Sequence, residues 1–210
     1  EGILELEEIE QARRDLPEAV FKELYLAEPY EDGSNPFGLQ HIEQCKFPMS
    51  TMPAVCFGVD LAKSTDHTVI IGLDQFGSVC RLQRFQMDWR QTVQAILALP
   101  NVPMRIDSTG VGDPIVEEIQ RHRNNVTGIK FNQWNKQQMM EGLALSIQQR
   151  KISFPPSVIT DELEQFEFVY TRTGVKYSAP EGLHDDAVCA LALANECHKT
   201  AVSFGNYSWA

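Results

Sequence analysis

Between Ala54 and Met87 three short apolar runs follow one another, AVCFGVDLA, HTVIIGLD and SVCRLQRFQM, linked only by the turn-prone KSTD and by a turn at Gly77. Such runs, rich in Val, Ile and Phe, read as strands. Strands joined by so few residues pair antiparallel, because a parallel partner needs a crossover of a dozen or more residues. The pattern then changes. Trp89 to Leu99 reads as a helix, PMRIDS as a strand, Asp113 to Arg123 as a helix, VTGIKF as a strand and Asn135 to Arg150 as a long helix. That alternation is the signature of an α/β layer with parallel strands.

Downstream, a helix is expected from Ile159 to about Phe166, and FEFVYTRTGVKYSAP alternates about Thr173-Gly174 as a hairpin does. The last element is predicted as a helix from about His184 to Lys199, with an apolar face of Val188, Leu191 and Ala192. The expected fold is α/β: a mixed central sheet, three antiparallel strands and then parallel ones, flanked by helices, with an auxiliary β-hairpin. Upstream, residues 5–27 read as helical, with Pro17 in a first-turn position and Phe21, Leu24 and Tyr25 at i, i+3, i+4 spacing. Residues 29–53 are rich in Pro, Gly, Ser and Asn and read as a connector. The expected organisation is an acidic helical and linker segment (1–53), a main domain (54–200) and a tail (201–210).

Composition excludes several classes. The chain of 210 residues is 43% hydrophobic and 22% charged, ordinary for a globular core. No apolar stretch approaches the roughly 18 residues of a membrane span, and EGILELEEIE has neither the basic start nor the apolar core of a signal peptide. A soluble chain is expected. Five cysteines (Cys45, Cys56, Cys80, Cys189 and Cys197), with no CxxC pair, suggest buried thiols in a reducing compartment, not a disulfide framework or a zinc site. Residue 1 is Glu, and the chain is expected to be a piece of something longer. The net charge of −11 argues at first against a nucleic-acid partner, whose phosphates are bound by Lys and Arg. The charge is uneven, however: residues 1–50 carry −8 and residues 51–210 only −3.

Three acidic loci interrupt or end apolar elements. Asp60 lies inside VCFGVDLA, Asp107 terminates MRID, and Asp185 with Asp186 opens the final helix. Each has an ordinary structural use: Asp60 paired with Lys63, Asp107 serving the Ser108-Thr109-Gly110 turn, Asp185 or Asp186 as a helix cap. Taken together they ask for a common explanation, since a carboxylate beside a core is costly unless paired, hydrogen-bonded or bound to a cation. With the first and fourth strands side by side and the last helix crossing the sheet, all three converge. Hard oxygen ligands of this kind suit Mg²⁺ or Mn²⁺.

The strings FGVDLAKSTDHT, RIDSTGVGDP and, after a hairpin, GLHDDAVCALALA resemble the nuclease domain of the large terminase subunit of tailed bacteriophages, a member of the RNase H-like (RuvC-like) superfamily, over residues 54 to about 199. LYLAEPYEDGSNPFG is similar to the stretch that links a terminase ATPase domain to its nuclease, and no G-x-x-x-x-G-K-[ST] phosphate loop occurs in the chain. A fragment beginning after the motor is expected.

The resemblance implies a metal-dependent endonuclease that cuts double-stranded DNA during viral genome packaging, with little sequence specificity. Asp60 would bridge two Mg²⁺ or Mn²⁺ ions, with Asp107 on one side and Asp185, Asp186 or both on the other; which of the pair binds directly stays open. His184 and Asp66 are candidates for orienting a phosphate or supporting a ligand, beside ordinary roles as a surface histidine and a turn residue. Asp113 reads as a helix cap, with Pro114 in the first turn. Lys63, Lys130, Lys136, Arg172 and Lys176 are candidate DNA contacts, the last two flanking the hairpin tip. Trp134 and Tyr170 are expected to pack in the interior. Implied partners are double-stranded DNA and, in the full-length protein, an ATPase motor domain, portal, procapsid and small terminase subunit, in the cytoplasm of an infected bacterium. The rival readings are another RNase H-like nuclease, such as a Holliday-junction resolvase, transposase or RNA-cleaving ribonuclease, an actin-like or sugar-kinase-like ATP-binding domain, and a catalytically silent DNA-binding or assembly module that keeps the fold.

Overall fold

The computed structural model describes residues 6–26, 35–62, 67–110, 112–171 and 174–205. Five strands form one sheet in the order β3-β2-β1-β4-β5: β1 (Cys56–Asp60), β2 (Thr68–Leu73), β3 (Val79–Phe85), β4 (Met104–Asp107) and β5 (Val126–Ile129). The β1–β2 and β2–β3 pairs are antiparallel, and β1–β4 and β4–β5 are parallel. This is the mixed sheet the sequence predicts, with the first strand at its centre. Strands β6 (Glu167–Thr171) and β7 (Gly174–Ser178) form the separate hairpin.

The helices are α1 (Leu6–Asp15), α2 (Glu18–Phe21), α3 (Leu39–Gln44), α4 (Trp89–Leu97), α5 (Gly112–Gln120), α6 (Gln133–Gln148), α7 (Val158–Gln165) and α8 (Asp186–Gly205), with a π-helical turn at Lys22–Leu26. The helix expected over 5–27 is broken at Leu16-Pro17, where Pro17 has no N–H to continue the ladder. Residues 35–46, which read as connector, pack into the body: Phe37, Ile42 and Cys45 are buried, and the Asn35 amide donates to the Leu163 carbonyl at 2.8 Å. Helix α8 continues to Gly205, past the point where the tail was expected to begin.

The period-two alternation of β1 divides the interior. Cys56 joins the core formed with α3, α6, α7 and α8, and Phe57 and Val59 join the opposite core under α4 and α5. Gly58 therefore shares the α8 side with Cys56. A Cβ at Gly58 would overlap the Ala190 carbonyl oxygen and the Ala194 nitrogen, so strand and helix touch backbone to backbone. The sequence suggests a single apolar face for α8, yet every residue from Ala187 to Ala194 is buried. The sheet covers one side, while α6, α7 and the hairpin residues Phe168 and Tyr177 belong to the core on the other. A helix enclosed in this way must be apolar all round.

Gly58→Ala should therefore cost on the order of 2–3 kcal/mol, at the upper end of overpacking because the obstruction is backbone. Denaturant unfolding would measure this, and a variant within 0.5 kcal/mol of wild type (about the scatter of a surface substitution) would mean that α8 does not rest on β1 at this point.

Candidate metal centre

Strand register places the first two acids. Phe57, Gly58 and Val59 pair with Met104, Arg105 and Ile106 in parallel, so the next step sets Asp60 beside Asp107 on adjacent strands, ~4.8 Å apart in the hydrogen-bonding direction. Both side chains fall on the Gly58 face, toward α8. The third acid follows from the contact below them. As β1 rises from Cys56 to Gly58, α8 is met at Ala194 and then Ala190, since the Cys56 thiol approaches the Ala194 carbonyl at 3.6 Å. Two residues further along the strand, ~6.6 Å, comes Asp60. Four residues back along the helix, ~6 Å, comes Asp186. Strand and helix thus bring Asp60 and Asp186 to the same level.

Asp60, Asp107 and Asp186 are each more than nine-tenths buried. Burial, followed by the charges of Asp107, Asp186 and Asp185, pushes the Asp60 carboxyl well above its ordinary value of 3.8, with Lys136 pulling the other way. One Asp107 oxygen accepts the Thr109 N–H at 2.8 Å, so this acid also serves the Ser108-Thr109-Gly110 turn, which Gly110 completes at φ 78°. Asp185, half-exposed, takes the Lys136 ammonium at 2.8 Å. Burial lowers the Lys136 ammonium, but Cys189, Asp185 and Asp60 outweigh it and hold the group above its usual value. The two neighbouring aspartates are thereby distinguished: Asp186 faces the other acids from a buried position, and Asp185 is engaged by Lys136.

Among the described residues no three His, Cys, Asp or Glu side chains are already closed to metal-binding geometry. An open, all-carboxylate set at one end of a sheet still fits Mg²⁺ or Mn²⁺, which retain several waters and need few protein oxygens. The raised Asp60 carboxyl fits this, because burial and then the charges of its acidic neighbours outweigh the nearby Lys136.

Of the remaining candidates, His184 Nδ1 lies 3.7 Å from Asp186, and its ring meets His67 edge-on at 5.9 Å between centroids. Lys136, a candidate DNA contact, stands at the acid cluster, paired with Asp185. Lys130 pairs with Asp113, which sits in the first turn of α5. Lys176 is exposed on β7, beside a cavity of about 470 Å³ that also touches Phe131, Asn132 and Lys136. Trp134, expected inside, is 69% exposed, since it lies in the first turn of α6, away from the buried stripe of Met139, Met140 and Leu143. Lys63, Asp66 and Arg172 lie outside the described residues, as does the side chain of Tyr170.

One buried acid carried no signal strong enough to be singled out from sequence. Glu162 of α7 is 7% exposed, and its Oε2 accepts the N–H groups of Ala187 and Val188 at 2.7 and 3.3 Å. The sign of it was present in the periodicity, for Glu162 occupies the same stripe as Ile159, Leu163 and Phe166.

Sheet order, strand directions and the crossing terminal helix are those of the RNase H-like α/β folds. Within that class the chain is similar to the large terminase nuclease of thermophilic phage G20c (TM-score 0.68, 26% identity, covering 78% of this chain and 98% of that one) and to its magnesium-bound form (0.68, 26%, 80% and 98%). The large terminase nuclease domain of Thermus phage P74-26 shares the fold (0.62, 24%, 74% and 92%). So does a manganese-bound K428A mutant nuclease domain of the large terminase subunit gp2 of bacterial virus Sf6 (0.56, 13%, 77% and 98%). No family model and no curated protein matches the sequence. In fold, the chain is similar to the nuclease domains of phage large terminase subunits.

The raised Asp60 carboxyl has a measurable cost. A group whose folded pKa lies above its unfolded one subtracts stability as pH rises from the unfolded value through the folded one. Metal-free Asp60→Asn should match wild type below about pH 3.8 and become progressively more stable than wild type above it. Thermal unfolding in chelator across that range reads the difference; wild type more stable at pH 8 would mean that the acids are not crowded.

Proposed function

We propose that this chain is the endonuclease module of a viral DNA-packaging machine, a divalent-metal-dependent enzyme that cuts double-stranded DNA with little sequence specificity. The observation that carries the reading is the convergence of Asp60, Asp107 and Asp186 at one end of a sheet whose fold is that of phage large terminase nucleases. Magnesium- and manganese-bound relatives support Mg²⁺ or Mn²⁺ as the ions.

Asp60, Asp107 and Asp186 would hold the ions, Asp60 as the central ligand between the other two acids. Bound ions supply the polarisation of an attacking water and the neutralisation of charge on the departing 3′ oxygen, leaving 5′-phosphate and 3′-hydroxyl ends. Lys136 holds Asp185 aside through its 2.8 Å ion pair and offsets part of the acid charge. His184, beside Asp186, is placed to orient a phosphate. Lys176 on the hairpin contacts the flanking backbone, and Lys63, Arg172 and Asp66 are assigned by sequence position alone. Backbone contacts of this type fix a duplex without reading its sequence. In the full-length protein the partners are an ATPase motor, the portal, the procapsid and the small terminase subunit, in the cytoplasm of an infected bacterium. No helix among the described residues is long and apolar enough to cross a membrane.

With Mn²⁺ present the chain should nick and linearise plasmid, and Asp60→Asn and Asp107→Asn should each abolish cutting while leaving the circular dichroism spectrum unchanged. Preference for a four-way junction or an RNA–DNA hybrid would favour the rival nucleases, and ATP binding without metal-dependent nicking would favour the actin-like reading. Binding to non-cleavable duplex should be weak in chelator and, with Ca²⁺ as a non-catalytic ion, should fall steeply with salt. Tight, salt-insensitive binding in chelator would contradict the assigned role of the metals.

A further inference from the structure

The first turn of an α-helix carries backbone N–H groups with no partner inside the helix, and the usual acceptor is a side chain at the residue just before it. In α8 that residue is Asp185, whose carbonyl already accepts the Cys189 N–H at 2.9 Å. Its carboxylate is drawn to Lys136 at 2.8 Å. The first-turn amides of Ala187 and Val188 are accepted by Glu162, which precedes them by 25 and 26 residues and comes from another helix.

Three further observations make Glu162 more than a convenient acceptor. It is more than nine-tenths buried, although α7 has an exposed side on which an acid costs nothing. Its second oxygen, Oε1, is buried with no hydrogen-bond partner, an expense that packing alone does not explain. The two amides it grips belong to the residues that directly follow Asp186, so their position fixes the Cα of that acid. The reach of Glu162 is in turn set by α7, whose start is held by the reciprocal Ser157–Thr160 capping box.

We propose that Glu162 is the positioning residue of the metal centre: a cap supplied from α7 that anchors the start of α8, presents Asp186 to Asp60 and Asp107, and relieves both aspartates of capping, leaving Asp186 to the site and Asp185 to Lys136. This rests on the nuclease reading for the use to which Asp186 is put. The role requires an acceptor of the right length and does not require its charge. A glutamine at 162 keeps one oxygen at the same reach; an aspartate keeps the charge and is one methylene too short.

The test compares Glu162→Gln, Glu162→Asp and Glu162→Ala with wild type in two readouts: Mn²⁺ binding by calorimetry, and plasmid cleavage as a function of Mn²⁺ concentration, both referred to the folded fraction measured by thermal unfolding. Removing a group that orients a metal ligand typically weakens metal binding about 10- to 100-fold. Glu162→Asp and Glu162→Ala should therefore need at least about tenfold more Mn²⁺ for half-saturation in both readouts. Glu162→Gln should stay within about threefold of wild type, a margin set by the usual two- to threefold context scatter. Should Glu162→Ala fail to fold, the Gln and Asp variants carry the comparison. A lower melting temperature with an unchanged Mn²⁺ dependence of the folded protein would reduce Glu162 to a purely structural role and overturn the proposal, as would Glu162→Asp behaving better than Glu162→Gln. If wild type cuts and only these variants fail to separate, the positioning role falls and the nuclease reading stands; if wild type neither binds Mn²⁺ nor cuts, both fall.

Discussion

The backbone contact between Gly58 and the Ala190–Ala194 turn of α8 is the constraint on which the site depends. It fixes three quantities at once: how close the last helix lies to the central strand, which residues of each face the other, and how far along each the carboxylates stand. A residue with a side chain at position 58 would push α8 outward, and Asp186 would move with it. The close approach also explains the composition of the helix. ALALA is not merely apolar; its alanines are what let a helix lie against a strand with no side chain between them, while Val188, Leu191 and Leu193 fill the surrounding core.

The same closeness creates the electrostatic problem that the site exists to exploit. Asp60, Asp107 and Asp186 are buried near one another, and the Asp60 carboxyl is raised by burial and by the charges of its neighbours. Lys136 supplies one positive charge to the cluster. Divalent ions would supply the rest, so an arrangement that costs stability when empty is a source of metal affinity. Capping α8 from Glu162 serves the same end, because it leaves Asp186 to the site and Asp185 to Lys136.

Much of this was legible in the sequence, for physical reasons that can be named. The meander and the strands after it announce themselves by period and by the shortness of their links, and Asp60, Asp107 and the Asp185-Asp186 pair stand out because charges at the ends of apolar runs need an explanation. Less legible was anything decided by what lies opposite. Asp185 and Asp186 are adjacent and chemically identical, and they are separated by burial and by Lys136, on a helix about fifty residues earlier. Lys136 itself looked like any surface lysine. Trp134 was expected inside on general grounds, and its place in the first turn of α6 puts it outside. Phe37 and Ile42 lie in a Pro- and Gly-rich stretch whose composition hides their burial. Glu162 was hidden for the opposite reason: an acid in an amphipathic helix is usually solvated, and the amides that hold it inside are 25 and 26 residues away.

Strand register and one glycine contact bring Asp60, Asp107 and Asp186 together as a candidate divalent-metal site. The most direct measurement is a crystal structure of the chain soaked in Mn²⁺, with anomalous scattering recorded near the manganese edge. Manganese peaks are expected between the carboxylates of Asp60, Asp107 and Asp186, with Asp60 touching both ions where two are present and Asp185 still on Lys136. No peak at these acids at millimolar Mn²⁺, or manganese held elsewhere with the three carboxylates apart, would contradict this assignment.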